Sequence, residues 1–349
     1  MTDAMLPRRT LIAAAAAMPL GFVAGGCAAR GAGGTREGWT NPLVRQRADP
    51  HVTRHRGSYY FTASVPEYDR IVLRRAATLA GLADATEAVL WRRPVSGRMA
   101  GYIWAPELHR FDGRWHVYFA AGDGDEKFRI RTYVLASADP DPMAARWTLL
   151  GQLETPWDSF ALDATSFEHR GTRYLCWAQA EPGIKTNSNL YLAPLATPTT
   201  LARPPVRLTV PELDWEVQGY KVNEGPALLA HGGRLFLTYS ASATDARYCM
   251  GMLSAAAGAD LMDAASWTKS PVPVLATDAA AGVFGPGHNS FTTDAAGRPV
   301  IVYHARDYRE IKGNPLFDPN RHARAEHVRF DARGVPQFMP PAPDGPVRG

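Results

Sequence analysis

A five-fold repeat limits what this chain can fold into more than any other feature. Five segments share a strand-like head, a glycine turn and an aromatic-rich strand: ADPHVTRHRGSYYFTAS, IWAPELHRFDGRWHVYFAAG, LDATSFEHRGTRYLCWAQA, NEGPALLAHGGRLFLTYSAS and GHNSFTTDAAGRPVIVYHAR. The turn glycines Gly57, Gly113, Gly171, Gly233 and Gly297 follow one another at 56, 58, 62 and 64 residues. Glycine suits such turns because a tight hairpin often needs a positive φ. Further strand-like runs lie between the copies, at 70–74, 129–136, 190–193 and 248–253. Each is followed by a segment bearing Trp or Pro, such as VLWRRP or RWTLLGQL. The count is about four strands per repeat, with no long amphipathic helix beyond the first residues. This predicts an all-β fold: a single five-bladed β-propeller with about four antiparallel strands per blade.

The repeat begins only after a leader. MLPRRTLIAAAAAMPLGFVAGGC carries Arg8-Arg9, an apolar run and then small residues, the outline of a Tat-like signal peptide. The run is too short and too rich in Ala and Gly for a membrane span. Ala24-Gly25-Gly26-Cys27 resembles a bacterial lipoprotein cleavage box. Two outcomes stand open: a membrane tether through lipidated Cys27, or cleavage and release. The expected organisation is a signal peptide over 1–26, a flexible tether over 27–38 and a catalytic propeller over 39–349. The protein is expected to be exported, as a periplasmic or cell-surface lipoprotein or as a secreted protein. Its net charge of +4 is spread without basic runs, which reads as solvated surface rather than a nucleic-acid footprint. Cys176 and Cys249 lie in apolar runs and read as buried free thiols, though an exported protein permits a disulfide.

Counting back from the turn glycines shows which residues should meet around the propeller axis. Asp49 and Asp163 stand eight before their glycines; Trp104, Glu224 and His288 stand nine before theirs. A bulge absorbs a one-residue difference. The expected ring is therefore three carboxylates, an aromatic platform and an imidazole. Glu107, six before Gly113, should lie deeper as a support. Three carboxylates beside an aromatic wall suit glycoside hydrolysis: one acid protonates the leaving oxygen and one carboxylate activates water or attacks. A neighbouring anion raises the pKa of the acid. A cation site or a structural polar channel remain alternatives on spacing alone. His51 and His55 could share a strand face, but no third zinc ligand is evident. The GDGDE run at 122–126 lacks the spacing of a calcium loop and reads as a solvated turn.

The heads ADPHV, WAPELH, LDATSF, NEGP and GHNSF, in this order and spacing, resemble glycoside hydrolase family 43 over about residues 39 to 335. The resemblance implies a five-bladed propeller acting on arabinose- or xylose-containing plant polysaccharides and oligosaccharides. It makes Asp49 the general base, Glu224 the general acid and Asp163 the residue that tunes and orients the acid. It implies inversion, with base and acid roughly 6.5–9.5 Å apart. Trp104 would stack on a sugar. No cofactor is required, but His288 resembles an axial histidine near which some members hold a calcium, often through water. Arg324 in DPNRHARAEH resembles the arginine that binds the innermost sugar, with Arg306 in YHAR as competitor. WEVQGYKVNEGPALL followed by LTYSASATDARYCMG is most similar to exo-acting α-L-arabinofuranosidases. The implied function is inverting release of terminal α-L-arabinofuranosyl residues from arabinan or arabino-oligosaccharides. Endo-arabinanase and β-xylosidase are alternatives within the family. A non-catalytic extracellular sugar-binding propeller is the alternative from another class, and it would not need all three carboxylates.

Overall fold

The computed structural model describes residues 38–348; the leader, with Arg8, Arg9 and Cys27, lies outside the described residues. Five antiparallel sheets carry the five repeats in order. Blade 1 runs Ala48–His55, Ser58–Ser64, Arg70–Ala76, Glu87–Arg92, and blade 2 runs Ile103–Phe111, Arg114–Ala121, Arg131–Ser137, Thr148–Gln152. Blade 3 comprises Ala161–His169, Thr172–Gln179, Asn189–Thr197 and Val206–Thr209, with the short Thr200–Leu201 also paired to Asn189–Thr197. Blade 4 comprises Asn223–His231, Arg234–Ala241, Cys249–Ala256 and Thr268–Lys269. Blade 5 has Phe284–Thr293, Pro299–Arg306 and His322–His327. Only short 3-10 turns interrupt this all-β chain among the described residues.

The turn glycines do what their spacing predicts. In blades 1 to 4 a two-residue turn joins the first two strands, and both turn residues have positive φ: Arg56 and Gly57 at 49° and 79°, Asp112 and Gly113 at 50° and 73°, Arg170 and Gly171 at 50° and 75°, Gly232 and Gly233 at 56° and 73°. That is the type I′ geometry, whose twist matches the flanking strands. Blade 5 departs, spanning 294–298 between the paired Thr293 and Pro299. Asp294 organises this longer turn, accepting from Arg298 N at 2.8 Å.

Strands buried on both faces read as continuous apolar runs, because successive side chains serve opposite neighbours. Leu175 and Trp177 pack towards blade 2, while Cys176 and Ala178 pack towards blade 4. Five apolar clusters result, one for each junction between blades. Cys176 and Cys249 are both buried free thiols. The ring closes with residues from the N-terminal side. Val44 pairs with Ala323 on the third strand of blade 5, and Trp39–Asn41 pairs with Gly345–Val347. The Asn41 amide donates to Ala325 O at 3.1 Å and accepts from Ala325 N at 2.9 Å. A hairpin around Gly334 joins Arg329–Phe330 to Pro336–Gln337.

Candidate active site

All five inner strands share one irregularity. Between Ala48 and His51, Trp104 and Glu107, Leu162 and Thr165, Glu224 and Ala227, and Gly287 and Ser290, one extra residue is inserted against the next strand. The second residue of each bulge has positive φ: Asp49 at 54°, Ala105 at 45°, Asp163 at 55°, Gly225 at 56° and His288 at 43°. This bulge re-aims side chains at the end of each inner strand. It also resolves the one-residue disagreement in the glycine count. Asp49, Asp163 and His288 occupy the bulge position itself, whereas Trp104 and Glu224 stand one residue earlier. In blade 5 the longer turn restores the count of nine.

A bulge leaves a backbone N–H without a strand partner, and a buried N–H needs one. A side chain from the preceding blade supplies it in four cases. His304 Nδ1 accepts from Asp49 N at 3.1 Å, Ser64 Oγ from Ala105 N at 2.8 Å and Ser240 Oγ from His288 N at 2.6 Å. Between blades 3 and 4 the corresponding second-strand residue is Ala178, which has no acceptor. Asp163 does the work instead, its Oδ2 accepting from Gly225 N at 3.0 Å. Asp163 is thereby fixed to the peptide adjoining Glu224. Gly225 is also sterically required, since a Cβ there would stand 3.0 Å from the His288 ring.

The three carboxylates border one space, Asp49 and Asp163 buried and Glu224 partly exposed, and their surroundings differ. Asp49 accepts from Ser64 Oγ at 2.5 Å and Arg321 Nη1 at 3.3 Å. Burial alone would push its pKa up; Arg321 foremost, then His288, outweighs this and holds it well below the usual carboxylate range. Burial pushes Asp163 well above that range, and the charges of Glu224 and Asp49 add to the effect. Glu224 rises to about 7 through burial, with Asp49 adding to the rise and the Tyr248 hydroxyl opposing it. That hydroxyl donates to Glu224 Oε1 at 2.8 Å. The site thus holds one ionised carboxylate opposite two that resist ionisation.

His288 bridges the group, its Nδ1 3.4 Å from Asp49 Oδ1 and 3.7 Å from Asp163 Oδ2. Trp104 forms a wall, stacked on Tyr102 with centroids 5.4 Å apart. The expectation for Arg324 is corrected. Arg324 is buried away from the cavity and pairs with Asp344 and Ala342 O. The arginine at the site is Arg321, bound to Asp49 and, at 3.0 Å, to the Tyr68 hydroxyl. Three positions apart along an extended segment, the two side chains take opposite faces. Arg306, the competitor, instead ties Thr244 O, Pro315 O and Asp318 together.

Glu107 lies one layer deeper, as the spacing predicts, with His109 Nε2 at 2.9 Å and His51 Nε2 at 3.6 Å from its Oε2. His109, not His55, joins His51; His55 packs on Trp115 instead. These three ligand atoms lie within 4.8 Å of one another. However, His51 Nδ1 accepts from Leu108 N at 3.3 Å, which puts the imidazole proton on Nε2 and aims it at Glu107. A metal-bound histidine would show the reverse pattern, so the trio is a hydrogen-bonded support. Around His288 no three such ligand atoms converge among the described residues. Calcium takes about six to eight oxygens, so one held near His288 would draw most of its ligands from water. In the 122–126 turn, Asp123 Oδ1 accepts from Met99 N.

The inner cavity, about 120 Å³, is lined by Asp49, Asp163, Glu224, His288, Arg321, Trp104, Phe160, Leu162, Thr244 and Leu316. A wider cleft of about 820 Å³ carries Phe128, Asn187, Tyr220, Arg247 and Asn314. Glu224, Trp104, Phe160, Thr244 and Leu316 border both spaces, whereas Asp49, Asp163, His288 and Arg321 border only the inner one. Leu316 sits on a segment pinned from three sides. Its carbonyl accepts from Tyr68 OH at 2.6 Å, Pro315 O accepts from Arg306 and Arg306 also holds Asp318.

The family model for glycosyl hydrolases family 43 matches residues 39–336. The chain belongs to that family. It is 55% identical over 314 residues to an extracellular exo-α-(1→5)-L-arabinofuranosidase of Streptomyces avermitilis, covering 89% of this chain and 65% of the relative. It is 57% identical over 279 residues to the protein of the same description from Streptomyces chartreusis, covering 79% of this chain and 85% of that one. The chain therefore spans just under two thirds of the Streptomyces avermitilis relative. The crystal structure of an α-L-arabinofuranosidase from Lactobacillus brevis superposes with a TM-score of 0.85 at 51% identity, over 88% of this chain and 98% of that one.

Proposed function

We propose that this protein is an inverting, exo-acting α-L-arabinofuranosidase that removes terminal arabinofuranosyl residues from arabinan or arabino-oligosaccharides. One observation carries the reading: Glu224 borders both the small inner cavity and the wide cleft, while Asp49 borders only the cavity. The general acid must stand at the bond being cut, so the bond lies at the mouth of the cavity. A cavity of about 120 Å³ has room for one terminal sugar. The remainder of the chain occupies the cleft. The pinned Leu316 segment walls the cavity, which favours exo over endo action. The relatives' descriptions support the sugar and the linkage, and their extracellular description supports export.

In this reading Trp104 stacks on the terminal sugar, and Asp49 takes a proton from a water poised at the anomeric carbon. The carbon–oxygen bond to water forms as the glycosidic bond breaks, and Glu224 gives its proton to the leaving oxygen. Asp163 orients the acid by fixing the adjoining peptide at Gly225. The products are a free sugar of inverted configuration and a shortened oligosaccharide, after which solvent exchange resets both carboxyl groups. The residues' own donors supply every step, so dialysis against a chelator is expected to leave turnover unchanged.

The test compares linear α-1,5-linked arabino-oligosaccharides with an aryl α-L-arabinofuranoside and an aryl β-D-xyloside. Release of arabinose from the first two, with little from the xyloside, is expected. Tight oligosaccharide binding with no release from any of them would favour the non-catalytic propeller instead.

A further inference from the structure

Tyr248 touches neither cavity nor cleft, yet its position is tightly defined. Its hydroxyl donates to Glu224 Oε1 at 2.8 Å. Its ring lies parallel to that of His304, with 6° between planes and centroids 5.5 Å apart. His304 in turn holds the backbone N–H of Asp49. Gly287 makes room for the ring, since a Cβ there would stand 2.4 Å from Tyr248 Cε1. One buried ring is therefore clamped between the strand that carries the acid and the side chain that fixes the base.

We propose that Tyr248 is a positioning residue for hydrolysis: by donating to Oε1 it assigns the proton of Glu224 to Oε2, the oxygen that serves the leaving group. The inference rests on the reading of Glu224 as the general acid. A protonated carboxyl has one carbonyl-type oxygen and one hydroxyl oxygen, and a donor fixed at one of them selects which is which. As the proton leaves, negative charge grows on Glu224 and the phenol's hydrogen bond becomes charge-assisted and stronger. Tyr248 thus both orients the acid and stabilises the carboxylate that forms. Burial, reinforced by the charges of Glu224, Asp163 and Asp49, holds the phenol far above its ordinary range, so it remains a donor. Glu224 also faces Asp49 from blade 1, Asp163 from blade 3 and Arg321 from the segment before the last strand of blade 5. Replacing the tyrosine hydroxyl leaves all three in place.

Tyr248→Phe keeps the ring and removes only the hydroxyl. On unmodified arabino-oligosaccharides its kcat is expected to fall about 10- to 100-fold with KM little changed, the scale of one hydrogen bond to a charging group. Aryl arabinofuranosides with good leaving groups should lose less. The basic limb of kcat/KM against pH should move up, because the lost donor favoured the ionised carboxylate. Placing 3-fluorotyrosine at position 248 makes a stronger donor with almost the same shape and should move that limb down. Equal losses on both substrate types with an unmoved limb would overturn the proposal, as would a limb that moves the same way in both variants. Glu224→Gln separates the two layers of the argument. Full activity of that variant on unmodified oligosaccharides sinks the acid reading itself. An inactive Glu224→Gln beside an unimpaired Tyr248→Phe sinks only the role of Tyr248.

Discussion

At the scale of single residues, the site works by giving three similar side chains different surroundings. Asp49 meets a guanidinium and a hydroxyl and stays ionised; Glu224 and Asp163 face each other in a buried corner and keep protons. Glu224→Gln is therefore expected to lower turnover of unmodified arabino-oligosaccharides by about 10²- to 10⁴-fold. Its effect on aryl glycosides with good leaving groups should be smaller, since they need less protonation. Asp49→Asn should impair both substrate types alike. Comparing kcat on the two substrates for each variant checks the assignment. The same pKa shift has a signature in stability. Glu224 binds its proton more tightly folded, at about 7, than unfolded, at its ordinary value of 4.5. Stability from this group is fully present below the unfolded value and is lost as pH rises through about 7. Thermal melts across this window should show wild type losing stability that Glu224→Gln does not lose.

At the scale of elements, the recurring bulge matters more than any one side chain. It turns five inner strands inward at the same depth and leaves five N–H groups to be captured. Ser240→Ala removes the acceptor for His288 N and should cost about 1–3 kcal/mol of stability. Gly225→Ala adds strain at positive φ and crowds His288, so it should lower both stability and kcat. Urea unfolding and steady-state kinetics on the two variants measure these effects. The sequence made much of this legible. Glycine spacing marks the hairpins because positive φ at a two-residue turn favours that residue. Counting from it brings Asp49, Trp104, Asp163, Glu224 and His288 to one end of the axis, where the structure places them. What it could not show is which residues share a layer, because the bulge shifts Glu224 and Trp104 by one position. It also could not show Arg321, Tyr248, His304 or Leu316. Those lie on a second strand or on connecting segments, where no turn glycine sets the phase and side-chain direction depends on where a strand starts. Arg324 was the wrong arginine for that reason.

At the scale of the whole molecule, a ring of blades must be closed, and the closure uses both ends of the propeller. Trp39 Nε1 and the Asn41 amide converge on Ala325 O, and Val44 pairs with Ala323. Asn41→Ala leaves the buried N–H of Ala325 without its side-chain acceptor and should lower the melting temperature while sparing KM, as the substitution is remote from the cavity. The rigid ring serves to hold acids from blades 1, 3 and 4 around one small cavity. The central claim is that cleavage occurs at the mouth of this cavity, with inversion. Following a reducing-end-labelled linear arabino-oligosaccharide by proton NMR and by the size of the labelled fragment tests it most directly. The account predicts labelled chains shortened by one sugar at a time, and free arabinose that first appears as the β anomer. A ladder of internal fragments from the earliest times, or arabinose first appearing as the α anomer, would contradict it.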